Sequence, residues 1–105
     1  MRLDQNSCEE ICAAISRFIP TGGALYLYGS RTDPSKRGGD IDLLLVVEDQ
    51  AIREKLQREL YKILVEIKRR IGDQRIDLSV VSPTLLEEDP FYRSIFPDSI
   101  LLAQW

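Results

Sequence analysis

A chain of 105 residues that is 44% hydrophobic and 30% charged holds one domain, residues 1–105, with a buried core and little room for a second. That composition excludes wholesale disorder, and a net charge of −3 excludes an extended electrostatic surface for nucleic acid. No apolar run approaches the ~20 residues that span a bilayer, and the opening MRLDQNSCEE lacks the apolar stretch of a secretory signal, so the expectation is a cytoplasmic protein without membrane contact.

Ser7-Cys8-Glu9-Glu10 reads as a capping box and predicts a first helix beginning at Ser7. Cys8, Ile11, Cys12, Ile15, Phe18 and Ile19 follow at helical spacing as its buried face, and Pro20 with Gly22-Gly23 ends it. The two cysteines would share one face, but with no histidine and no third cysteine they read as small apolar residues. Ala24–Tyr28 is a nearly continuous apolar run, which predicts a strand covered on both faces. Gly29-Ser30 turns the chain, and residues 31–36 predict one helical turn, with Pro34 tolerated only in its first turn and Arg31, Lys36 and Arg37 as nearby cations.

Asp40-Ile41-Asp42 opens a second buried strand, Ile41–Val47. Asp49 caps a long helix over about 50–70, with Ile52, Leu56, Leu60, Ile63, Ile67 and Ile71 inward and mixed charges outward. Lys68-Arg69-Arg70 suits the C-terminal end of that helix, which Gly72 terminates. Arg75–Val81 is a third strand carrying Asp77. A short helix from Ser82 or Pro83 to about Glu88 follows, and Ile100-Leu101-Leu102 reads as a last strand returning to the sheet. The tail aromatics Phe91, Tyr92, Phe96 and Trp105 fit either core or an interface. The sum is an α/β (α+β) domain with a small mixed sheet flanked by helices.

The chemistry concentrates between Leu25 and Val47. Asp40 and Asp42 alternate to the same side of a strand with Cα atoms about 6.5 Å apart, a spacing that lets two carboxylates meet at one metal ion. Asp77, if its strand lies alongside, completes a three-carboxylate site whose mutual repulsion calls for a cation. Hard oxygen donors favour Mg²⁺ or Mn²⁺, with nucleotide phosphates filling the remaining positions. Gly29 allows close backbone approach, and Ser30 adds a hydroxyl and an exposed N–H suited to phosphate.

Gly29-Ser30, nine residues, Asp40-x-Asp42 before Leu-Leu-Leu-Val-Val, and Asp77 in a later strand resemble the minimal nucleotidyltransferases of the DNA polymerase β superfamily. The resemblance covers almost the whole chain, with Thr32–Gly39 a longer linker than in many relatives. It implies the nucleotidyltransferase fold and transfer of an NMP, from ATP or another NTP, to an acceptor hydroxyl with release of pyrophosphate. In that scheme Asp40, Asp42 and Asp77 are catalytic and hold two Mg²⁺ ions about 3.5–4 Å apart. Gly29, Ser30 and Arg31 bind the nucleotide phosphates.

Larger relatives add a domain that grips base and acceptor, and the expectation for these 105 residues is that an acceptor or a partner protein supplies part of the site. The resemblance implies a HEPN-domain partner and an antitoxin role, by AMP transfer onto the partner or by contact. A non-catalytic binding module that neutralises its partner is the competing reading, and a structural Ca²⁺ or Mg²⁺ site is a third that leaves Gly29-Ser30 unexplained. Homo-oligomerisation stays open at this point.

Overall fold

The computed structural model describes residues 3–32 and 39–105. Four helices there begin on a side-chain cap. The first, α1 (Gln5–Ser16), starts on Asp4, whose Oδ1 accepts from the Ser7 N–H at 2.8 Å. The expected start at Ser7 is thus corrected: a carboxylate is the stronger acceptor and suits the positive helix end, so Asp4 takes the cap and Ser7 donates its hydroxyl to it at 3.2 Å. Ile11, Ala14, Ile15 and Ile19 are buried, while Cys8, Cys12 and Phe18 pack half-buried against them. Both cysteines are free, and burial, with the Cys8 thiol beside it, pushes the Cys12 thiol up to about 11, so both act as packing groups.

The two apolar runs are strands as expected, β1 (Gly23–Tyr28) and β2 (Ile41–Val47), and they pair antiparallel. Asp49 caps α2 (Gln50–Arg58) by accepting from the Ile52 N–H at 2.9 Å. The long helix expected over 50–70 is two helices, because the backbone leaves helical geometry at Glu59 (φ −96°, ψ 10°) before α3 (Leu60–Ile71). No proline or glycine marks the break. It comes from tertiary packing: α2 lies over β2 and β3, where Gln57 Nε2 donates to the Val80 carbonyl at 2.9 Å, whereas α3 lies along α1. One straight cylinder cannot follow both directions.

Gly72 ends α3 with φ +96°, and the chain enters β3 (Ile76–Val81), parallel to β2. The α2–α3 pair is the crossover that a parallel neighbour requires. Ser82 caps α4 (Pro83–Glu88), as expected, and Asp89 caps α5 (Pro90–Ile95), a helix the sequence reading left out although Asp89-Pro90 repeats the cap-then-proline pattern of Ser82-Pro83. Strand β4 (Ile100–Gln104) returns antiparallel to β1, giving a mixed four-stranded sheet in the order β3-β2-β1-β4 with helices on both faces. This architecture is compatible with a nucleotidyltransferase-like fold.

The odd-numbered side chains of β2 (Ile41, Leu43, Leu45, Val47) meet α1, α2 and α3 in the main core. The even side explains why β2 reads as one apolar run: Leu44 is fully buried beside Tyr28 and Val81, under Leu85, Leu86, Tyr92, Ile95 and Phe96 of the C-terminal segment. Among the described residues no helix is long and apolar enough to cross a membrane. The basic end of α3 is a surface network: Glu66 takes Arg69 at 2.7 Å, Arg70 at 2.9 Å and Arg17 at 3.1 Å, and Arg70 also reaches Glu10 at 3.2 Å. These contacts tie α3 to α1 and match the structural reading of that cluster.

Candidate functional site

Three strands and one turn place the predicted acids. After Tyr28 the chain turns through Gly29–Thr32 as a short 3₁₀ helix, closed by the Thr32 hydroxyl donating to the Gly29 carbonyl at 2.8 Å. Gly29 sits at φ +79°, where a side chain is disfavoured, and a Cβ there would run into Oδ2 of Asp42 and lie 3.3 Å from its Cγ. Glycine is therefore what lets the turn lie against the Asp42 carboxylate. The sharp turn expected at Gly29 is present, and the close neighbour it meets is the Asp42 side chain.

Register does the rest. Tyr28 stands opposite Asp42, and Asp42 opposite Asp77, so one row across β1, β2 and β3 carries a phenol and two carboxylates on one face. Asp40 lies just before β2, where the Ile41 N–H donates to the Arg75 carbonyl at 2.9 Å. Its Oδ1 is 3.5 Å from Arg75 Nε, and Asp40 and Asp77 line a shallow depression of about 320 Å³ with Lys68, Arg75 and Ile76. Because Arg75 is 88% exposed, that ion pair is easily exchanged.

The negative charge of the row is compensated only in part. Burial holds the Asp42 carboxyl above the usual aspartate range, and the negative charges of Asp77 and then Asp40 push it further, against a smaller opposing pull from Arg31. Tyr28 is pushed up to about 12, first by burial, then by Asp77, Asp42 and Tyr92, with a hydrogen bond to Ser79 offsetting part. The phenol is therefore neutral at pH 7 and available as a donor.

Asp40, Asp42 and Asp77 thus form one electrostatic group, and Gly29 and Arg31 lie beside it. Arg31 also donates to the Gly39 carbonyl at 3.5 Å. Ser30 belongs to the same turn. The expected helical turn over 31–36 is corrected in its described part, where the 3₁₀ helix starts at Gly29 and includes Thr32; residues 33–38, with Pro34, Lys36 and Arg37, lie outside the described residues. Among the described residues no three acids, cysteines or histidines close around a single point as they stand. The donor set is all hard oxygen, and the charge deficit at Asp42 is of the sign a cation corrects, so the residues fit a divalent ion in chemistry and charge.

No protein-family model, no curated protein and no solved structure matches this chain.

Sequence reasoning missed Tyr28, Lys68 and Arg75 as neighbours of the acids. Tyr28 was visible in principle, since Tyr26 and Tyr28 alternate on a strand otherwise built of aliphatic residues. Arg75 meets Asp40 through the parallel β2–β3 pairing, and Lys68 lines the same depression from α3, which no local pattern announces.

Proposed function

We propose that this chain transfers a nucleotidyl group, from ATP or another NTP, to an acceptor hydroxyl with the help of divalent metal. The observation that carries the reading is Asp42: half-buried beneath Gly29, in register with Asp77, and held above the ordinary aspartate range by burial and by two further carboxylates. Asp40, Asp42 and Asp77 would hold Mg²⁺ or Mn²⁺, which supplies charge neutralisation for the attacking and leaving oxygens. The acceptor oxygen forms a bond to the α-phosphorus, the bond to the departing pyrophosphate breaks, and the hydroxyl proton leaves through Asp77, the most exposed acid of the row. Gly29, Ser30 and Arg31 orient the β and γ phosphates. Catalysis is then positioning and electrostatics, with no covalent intermediate on the protein.

The acceptor in this proposal is a hydroxyl of a partner protein, and the resemblance to minimal nucleotidyltransferases points to a HEPN-domain neighbour and an antitoxin role. The second reading, a non-catalytic module that neutralises the partner by contact, draws on the Asp40–Arg75 pairing and the open arrangement of the acids.

Incubation with α-labelled ATP, Mg²⁺ and the genomic neighbour separates the two. Label on the neighbour that disappears with Asp40→Ala/Asp42→Ala supports transfer. A stable complex with no label from any of the four NTPs supports the contact reading.

A further inference from the structure

The proposed reaction leaves one aromatic side chain next to the site unused. Phe91, on α5, is 54% exposed, whereas its neighbours Tyr92, Ile95 and Phe96 turn their side chains toward the sheet. Its ring meets Tyr28 edge-on at 6.5 Å between centroids and 82° between planes, and meets Tyr92 at 5.2 Å and 72°. Tyr28 is the residue opposite Asp42. Phe91 is thus one ring away from the carboxylate row, on the same face of the sheet.

Its backbone is fixed on both sides. The Phe91 N–H donates to Asp89 Oδ1 at 2.8 Å, and its carbonyl accepts from the Ser94 hydroxyl at 2.7 Å. Two T-shaped contacts orient the ring, and about half of the residue stays exposed. An exposed apolar ring gains nothing from water, and a ring already fixed by its neighbours loses little entropy when a flat ligand covers it. A flat, neutral π-surface is what such a ring accepts.

Resting on the nucleotidyl-transfer reading, we infer that Phe91, backed by Tyr28 and Tyr92, is the shelf on which the base of the incoming nucleotide stacks. A nucleotide whose phosphates lie at Gly29, with Asp42 holding their metal ion, would carry its base on the same molecule, and Phe91 is an exposed ring in contact with Tyr28, the residue opposite Asp42. Stacking reads the π-face and not hydrogen-bonding edges, so the shelf accepts any base and favours the larger purines. The substrate class is therefore a nucleoside triphosphate of any base, purines bound more tightly than pyrimidines, chosen by surface and not by edge recognition.

Calorimetric titration of the full chain with Mg·ATP and, separately, with Mg·tripolyphosphate tests this. Phe91→Ala weakens Mg·ATP by about 5- to 150-fold, the range expected for loss of one stacked base, and leaves Mg·tripolyphosphate unchanged. Phe91→Tyr, which keeps the ring, binds Mg·ATP as the parent does. Equal Mg·ATP affinity in the parent and Phe91→Ala overturns the shelf while the phosphate and carboxylate reading stands. Loss of tripolyphosphate along with ATP also overturns it, since the substitution then acts through the fold. Binding of neither probe by the parent overturns both readings together.

Discussion

Adding one methyl group at Gly29 tests the placement of Asp42. Gly22 and Gly29 share φ +79°, yet a Cβ at Gly22 meets nothing within 4 Å, while one at Gly29 overlaps Oδ2 of Asp42. The left-handed conformation alone costs a non-glycine residue about 1–2 kcal/mol, and Gly22→Ala reports that amount in isolation. Gly29→Ala carries the same cost plus that of pushing the Asp42 side chain off its rotamer, about 0.5–1.5 kcal/mol more. For a domain of this size each kcal/mol moves the melting temperature by roughly 4–8 °C, so the two variants separate readily in thermal and urea denaturation. An Asp42→Ala background removes the obstructing carboxylate, and there Gly29→Ala falls to the cost of Gly22→Ala, a coupling of about 0.5–1.5 kcal/mol in a double-mutant cycle. Equal costs at the two glycines with no coupling would refute the claim that Gly29 makes room for Asp42.

The charge state of Asp42 gives a second expectation. Its folded-state pKa is raised, so its contribution to stability is complete below the ordinary value of 3.8 and is lost as pH rises through the folded value. Asp42→Asn therefore melts above the parent at pH 7, and the gap closes toward pH 3. Mg²⁺ raises the melting temperature of the parent and not of Asp42→Asn. Glu66 behaves oppositely: hydrogen bonds from Arg69 and Arg70 hold its carboxyl down at about 2, so its contribution is present above the ordinary 4.5 and disappears as pH falls through about 2. Glu66→Gln is less stable than the parent at pH 7 in low salt, and the two converge near pH 2.

Much of this arrangement was legible because local patterns and burial agree. Strands β1, β2 and β3 announce themselves as apolar runs, Asp49 as a cap, Gly72 as a stop and Ser82-Pro83 as a helix start. The misses have physical causes. Ser7 lost the first cap to the nearby carboxylate of Asp4, two good acceptors competing for one helix end. The break at Glu59 leaves no trace in a periodic apolar stripe, because the directions of α1 and of β3 impose it. At the site, Gly29 and the acids could be named from spacing alone. Their gathering depends on the Tyr28–Asp42–Asp77 register, and register is a property of three strands together. Phe91 stayed undecided between core and interface for the same reason: only the packed C-terminal segment shows Tyr92 and Phe96 turned inward and Phe91 outward.

The central claim is that Asp40, Asp42 and Asp77 gather a divalent cation with a nucleotide. Mn²⁺ titration read by the paramagnetic resonance of the free ion, with and without ATP, addresses it most directly. Mn²⁺ is expected to be retained, more strongly with ATP, and at least about ten-fold less in Asp42→Asn or Asp77→Asn, since even an outer-shell partner of a metal costs that much when lost. Mn²⁺ retention that neither ATP nor these substitutions alter would contradict it.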